Sequence, residues 1–219
     1  MSEQKTRQNE SVNSIPTTDA KKKTNENVNE VVIQGRLVHK YRAEKATLLT
    51  INTGRATNVP NYPKVVFFGD AKDEAAKYNV GDNVRVEGNI QSSKPNPKIK
   101  NQVTLSVFGE SICAAETQLE QDFNVPGSFV TPVNHFKLAG TIIDISLPAR
   151  NVVRITVKCT KNGRPSFVRM VYFTKSPEKI IAEHLPGNYI RVYGIVQTTK
   201  QEKNGEKLYQ QSYIITEMC

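Results

Sequence analysis

Two segments of the sequence place aromatic and basic side chains at every second position. Each segment repeats an aromatic residue, a basic residue, a valine and an aromatic residue: Tyr62, Lys64, Val66 and Phe68 in the first, and Phe167, Arg169, Val171 and Phe173 in the second. A flat ring can stack on any nucleic-acid base, and an adjacent cation can hold the phosphate that follows. The two segments therefore predict a surface for a single strand of nucleic acid.

The alternative is that these rings fill a protein core, because aromatic residues in strands are often buried. The opposite face of each segment is apolar as well, with Val65 and Phe67 in the first and with Val168, Met170 and Tyr172 in the second. Only one face of a barrel strand can point inward, and this wholly apolar face is the natural core. We therefore expect the aromatic and basic face to be exposed and to bind.

Further basic residues are candidates for the same groove. Arg85 and Arg191 occupy equivalent positions on the polar faces of two strands. Two predicted loops between consecutive strands carry three lysines each: Lys94, Lys98 and Lys100 in the first, and Lys200, Lys203 and Lys207 in the second. Mobile basic loops of this kind can close over a nucleic-acid backbone, although a lysine-rich loop can equally serve solubility alone.

Motifs for catalysis or metal binding are absent from the sequence. The three histidines show no HExxH spacing, and the chain has no GxSxG motif, no phosphate-binding glycine-lysine loop and no CxxC pair. We therefore expect a protein that is not an enzyme and that uses no metal and no cofactor.

The fold class follows from an internal duplication. The segment GDNVRVEG (81–88) matches GNYIRVYG (187–194), and the two copies are offset by 105 or 106 residues throughout. Within each copy, apolar residues alternate at period two over five segments, and one short helical segment follows the third. Five strands and a helix in each copy predict an all-β protein with short helices, built as two tandem five-stranded OB-fold barrels.

Charge and composition predict the domain boundaries. Residues 1–30 are polar with balanced charges and are expected to be a disordered tail. OB-fold domains are predicted at 31–115, with 12 basic and 7 acidic residues, and at 135–219, with 13 basic and 6 acidic residues. Residues 116–134 carry three acids and no base, and they contain Pro126 and Gly127, as is typical of a linker.

The net charge of the chain favours a polyanionic partner. Lysine and arginine number 30 against 21 acidic residues, which gives a formal net charge of +9. The sequence contains no apolar run long enough for a membrane span or a signal peptide, so a cytoplasmic protein is expected.

The segment PKVVFFGDAKDEAAKYNVGDNVRVEGNIQSSK (63–94) resembles the central segment of bacterial-type single-stranded DNA-binding proteins. The opening strand VVIQGRL is similar to that of the family, and residues 135–218 are a weaker match that keeps VRMVYF and PGNYIRVYG. The resemblance implies that Phe68 is a base-stacking residue and that Tyr62 stands where the family commonly has a stacking tryptophan. Phe173 and Phe167 are their counterparts in the second copy.

The resemblance also implies a partner and an assembly. The partner is single-stranded DNA, and the assembly is a homodimer that presents four OB domains. The sequence ends in SYIITEMC without the family's acidic C-terminal tail, so we expect a variant similar to the accessory proteins of phages, plasmids or conjugative elements.

Three functions remain open at the level of sequence. The first is sequence-tolerant binding of single-stranded DNA in replication, recombination, repair or DNA transfer. The second is a protein-interaction module of a replication or conjugation complex, with incidental contact to nucleic acid. The third is binding of single-stranded RNA, which uses the same kind of surface.

Overall fold

The computed structural model describes residues 26–54, 61–93, 104–115, 131–203 and 206–219, with the side chains of 200–203 and 206–208 left undefined. Within these ranges the chain is built of strands with two short helices, as the alternating pattern predicted. Neither of these helices is long and apolar enough to cross a membrane.

The first half of the chain forms a closed five-stranded barrel, which we call barrel 1. Its elements are β1 (Val28–Arg42), β2 (Thr47–Asn52), β3 (Lys64–Phe67), α1 (Asp70–Lys77), β4 (Asn83–Ser92) and β5 (Leu105–Ala114). The strands pair around the barrel in the order β1, β2, β3, β5, β4 and back to β1. The β3–β5 pair is parallel and the other pairs are antiparallel, and this is the topology of an OB fold.

The second half repeats this arrangement as barrel 2. Its elements are β6 (Val133–Ala149), β7 (Val152–Lys161), β8 (Arg164–Phe173), α2 (Pro177–Glu183), β9 (Tyr189–Lys203) and β10 (Glu206–Met218). The ring order is β6, β7, β8, β10, β9 and back to β6, and β8 and β10 form the parallel pair. The predicted architecture of two tandem OB barrels is confirmed.

Alternating side chains fill the interior of each barrel as the sequence predicts. In barrel 1, Val84, Val86 and Ile90 on β4 are buried, and Ile190, Val192 and Val196 are their buried counterparts on β9. Pairs of glycines at equivalent positions allow strands to cross closely: a Cβ on Gly35 would collide with the Asn52 carbonyl, and one on Gly140 with the Lys158 carbonyl. The two copies therefore share the same buried strand positions and the same close contacts at glycines.

The two barrels share one hydrogen-bonded sheet. Strand β1 pairs antiparallel with β6, and the residue pair at its centre is Val31 with Phe136, which are counterparts in the duplication. The barrels are therefore related by an approximate twofold axis through that pair, as in an isologous dimer interface. Buried Asn29 and its counterpart Asn134 obey the same symmetry, because their side chains bond the backbones of Ile90 and Val196, respectively.

The pairing of β1 with β6 corrects two predicted boundaries. Residues 28–30, which the sequence analysis placed in the N-terminal tail, belong to β1 because they pair with residues 137–139. Strand β6 begins at Val133, two residues inside the predicted linker. Residues 1–25 and 116–130 lie outside the described residues, so the tail, the linker and the division into two domains stay predictions.

Candidate nucleic-acid interface

Strand β3 presents the predicted aromatic and basic face to solvent. Val65 and Phe67 point into the core and are at most 1% exposed. On the other face Lys64 is exposed and Phe68, directly after the strand, is 46% exposed. Tyr62, just before the strand, is half-buried. The assignment of the two faces of this segment from the sequence is confirmed.

Strand β8 repeats this geometry in barrel 2. Val168 and Met170 are fully buried, and Tyr172 packs against the core. Arg169 is exposed, Phe167 is 43% exposed and Phe173 is 60% exposed. On the outer face of its third strand, barrel 1 therefore offers one exposed phenylalanine and a cation, and barrel 2 offers two exposed phenylalanines and a cation.

An aromatic residue that the sequence analysis missed extends this surface in barrel 1. The ring of Phe108 on β5 stacks on Phe68, with 5.3 Å between centroids and 28° between planes. Parallel pairing of β3 with β5 sets Phe108 opposite Val66, which brings the two rings together. In the sequence, only the apolar-aromatic pair Val107-Phe108 pointed to this residue. The position of Phe108 beside Phe68 depends on the pairing of β3 with β5, which are distant in the sequence.

Two cations on β7 were also missed. Lys158 lies directly opposite Phe167, and Arg154 directly opposite Val171, in the antiparallel β7–β8 pair. Lys158 is exposed and Arg154 is partly exposed. In barrel 1 the position that corresponds to Arg154 is Leu48, opposite Val66. The aromatic face of barrel 2 is consequently more cationic, and that of barrel 1 more apolar.

Arg85 and Arg191 lie away from the aromatic strands. Arg85 is on the outer face of the sheet shared by the two barrels, where it pairs with Glu87 at 3.0 Å. Partial burial, and secondarily the nearby charge of Arg85, lower the pKa of His135 on the neighbouring β6. Arg191 lies on β9, opposite Ala139 of β6, and is half-buried. Arg85 pairs in register with Gln34 and Cys113, and Arg191 pairs with Ala139, so neither arginine lies beside an exposed phenylalanine in the strand pairing.

The basic loop predicted in the second copy is replaced by paired strands. Lys200 and Lys203 belong to β9 and Lys207 belongs to β10, and they pair with Tyr209, Glu206 and Glu202, respectively. The expectation of a loop at these lysines was therefore wrong. The sequence signal for a hairpin was the dipeptide Asn-Gly at 204–205, which favours tight turns between strands. Lys94, Lys98 and Lys100 lie outside the described residues.

The described residues contain no group of three or more His, Cys, Asp or Glu side chains that could hold a metal ion. Cys113 and Cys219 are exposed thiols, and Cys159 is fully buried between Asn29 and the Ser166 carbonyl. Burial raises the pKa of the Cys159 thiol to about 11, so this thiol stays protonated near neutral pH.

Comparison with solved structures places this arrangement among known folds. A deletion variant of the single-stranded DNA-binding protein from Thermus aquaticus superposes with a TM-score of 0.61, covering 88% of this chain and 94% of that one at 17% identity. The wild-type Thermus protein gives a TM-score of 0.59 at 18% identity, with 88% and 92% covered. The chain has the tandem OB fold of that protein. No protein-family model and no curated protein matches the sequence.

The resemblance drawn from sequence motifs is thus confirmed at the level of the fold. It extends over both barrels, including the second one, in which the motifs were weaker.

Proposed function

We propose that this protein binds single-stranded DNA with little regard to sequence and protects or organises exposed strands. The observation that carries the proposal is the repeated outer face of β3 and β8. There, Phe68, Phe167 and Phe173 are 43–60% exposed beside Lys64 and Arg169. The Thermus aquaticus protein of the same fold is a single-stranded DNA-binding protein, and this supports the proposal.

The exposed rings are the part of this surface that favours a single strand. Large apolar groups exposed in clusters mark binding surfaces, because their burial against a partner is favourable. Unpaired bases supply flat apolar faces, and each stacking contact contributes roughly 1–3 kcal/mol to binding. In a duplex the faces of the bases are already stacked on each other, so these rings should discriminate strongly against double-stranded DNA.

The cations beside the rings are proposed to hold phosphates. Lys64 and Arg169 lie on the outer faces of β3 and β8, and on β7 Lys158 lies opposite Phe167 and Arg154 opposite Val171. The lysines at 94, 98, 100, 200, 203 and 207 remain further candidates for backbone contact. Arg85 and Arg191 lie on other surfaces, so we expect smaller contributions from them.

Fluorescence anisotropy with labelled oligonucleotides of equal length tests the proposal. We expect oligo(dT) to bind at least tenfold more tightly than duplex DNA, and single-stranded RNA to compete less well than DNA. Equal binding of duplex and single strand, abolished by moderate salt, would contradict the proposal and would favour a protein-interaction module. Tighter binding of single-stranded RNA than of DNA would contradict the proposal and would favour RNA binding as the function.

We further propose a homodimer that presents four OB barrels and acts in the cytoplasm on strands exposed during replication, recombination or DNA transfer. Light scattering of the purified chain should then give a mass twice the chain's 24.5 kDa. A monomer at micromolar concentration would contradict the dimer without affecting the binding proposal.

A further inference from the structure

The start of β3 in barrel 1 is docked on the β9–β10 hairpin of barrel 2. The Asn61 side chain donates a hydrogen bond to the Val196 carbonyl and accepts one from the Thr198 N–H, both at 2.8 Å. Three residues later, the Lys64 N–H donates to Gln211 Oε1 at 2.8 Å. These bonds fix the aromatic strand of one barrel against the hairpin of the other.

This docking brings a second aromatic residue to Lys64. The ammonium nitrogen of Lys64 lies 5.9 Å from the ring centroid of Tyr209 on β10, within the range of a cation–π contact. Tyr209 is 50% exposed, and Tyr62 lies between the two anchored residues Asn61 and Lys64. A cation of barrel 1 therefore lies next to an exposed ring of barrel 2.

The aromatic strand of barrel 2, β8, is likewise hydrogen-bonded to the other barrel. The Phe167 N–H near the start of the aromatic strand in barrel 2 donates to Ser92 Oγ, at the end of β4 in barrel 1, at 3.0 Å. Each aromatic strand thus begins against the β4-type strand or hairpin of the other barrel. The exposed rings of each barrel therefore lie on a strand that is hydrogen-bonded to the other barrel.

We propose that Tyr209 and Lys64 form a nucleotide-binding site made jointly by the two barrels, in which a base stacks on the face of the Tyr209 ring opposite Lys64 and Lys64 holds the adjacent phosphate. The inference rests on the proposed binding of single-stranded DNA and adds the point at which one strand passes from barrel 1 to barrel 2. Sequence alone conceals this site, because its two residues belong to opposite halves of the chain.

The test measures binding of oligo(dT) to full-length variants at Tyr209. Tyr209→Ala should weaken affinity roughly five- to a hundredfold through the lost stack, whereas Tyr209→Phe, which keeps the ring, should retain affinity within about twofold. Leu185→Ala is the matched control, because Leu185 is 53% exposed and lies between α2 and β9, outside the strands that carry the exposed rings. Thermal unfolding of each variant checks that the fold is kept.

A second readout uses the unaltered protein. Irradiation of its complex with a 5-iododeoxyuridine oligonucleotide should crosslink the peptide that contains Tyr209. The inference is overturned if Tyr209→Ala binds as tightly as the unaltered chain and if no crosslink maps to that peptide. If the unaltered chain shows no preference for single strands over duplex, the proposed function fails, and the joint site fails with it.

Discussion

Phe67 and Phe68 are adjacent in the chain, yet Phe67 is fully buried and Phe68 is 46% exposed. The same alternation separates Met170 from Arg169 on β8. A period of two assigns each residue of such a strand either to the core or to the outer surface. At the scale of single residues, stability and binding should therefore depend on different positions of the same strand.

Alanine substitution should mainly reduce stability at Phe67 and mainly reduce binding at Phe68. Phe67→Ala removes a core ring and should lower the free energy of unfolding by about 3–5 kcal/mol. Phe68→Ala loses the stack on Phe108 and should lower it by only about 1 kcal/mol, while weakening oligo(dT) binding roughly fivefold or more. Urea denaturation and anisotropy measure the two effects. Unaltered affinity in Phe68→Ala would remove this ring from the binding surface.

The buried thiol of Cys159 should give a distinct pH dependence. Its pKa is raised by burial from the usual 9.0 to about 11, so the folded state retains a proton that the unfolded state releases earlier. This contribution to stability is complete below pH 9 and is lost as the pH rises towards 11. The difference in unfolding free energy between the unaltered chain and Cys159→Ala should therefore shrink over that interval.

Thiol labelling supplies the control for this prediction. Near pH 8, Cys113 and Cys219 should react promptly with a thiol reagent and Cys159 only on unfolding, because only the first two are exposed. Prompt reaction of a third thiol, or a constant stability difference up to pH 11, would contradict the buried position.

At the scale of secondary-structure elements, the closest strand crossings are at glycines that the duplication repeats. A Cβ on Gly194 of β9 would collide with the Ile214 carbonyl and the Phe136 ring, and one on Gly88 of β4 would collide with the Phe108 carbonyl. The two carbonyl groups belong to the backbone, which cannot move without disturbing the barrel. The shape of both barrels therefore depends on these positions.

Gly194→Ala should destabilise the fold by about 1–3 kcal/mol or more, because neither the Ile214 carbonyl nor the buried Phe136 ring has room to move. Thr199→Ala on the same strand is the matched control, since Thr199 is exposed and its loss should cost less than about 0.5 kcal/mol. Urea unfolding compares the two variants, and equal midpoints would show that β9 relaxes around the added methyl group.

Local patterns in the sequence predicted the elements well, but not the contacts between distant elements. The alternation around Lys64 and Arg169 was sufficient to orient β3 and β8. The pairing of Lys200 in a hairpin was missed, because the lysines suggested a loop although Asn-Gly favours a tight turn. The placement of Phe108 and Lys158 depends on strand register, which short-range periodicity does not contain.

At the scale of the whole molecule, a single sheet through β1 and β6 joins two barrels of unequal surface chemistry. Barrel 1 contributes the stacked pair Phe68 and Phe108, and barrel 2 contributes Arg154 and Lys158 beside its exposed rings. Both barrels offer exposed rings for salt-insensitive stacking, and we expect barrel 2 to supply more of the salt-dependent attraction. A strand that contacts both barrels would use both contributions.

The most direct test of this account measures oligo(dT) affinity across a salt series for two combined variants. One replaces Phe68, Phe167 and Phe173 with alanine, and the other replaces Lys64 and Arg169 with glutamine. The aromatic variant should lose affinity at every salt concentration with an unchanged slope, whereas the charge variant should reduce the log–log slope by roughly 0.7 for each lost phosphate contact. An aromatic variant that binds as tightly as the unaltered protein would contradict stacking as the basis of binding.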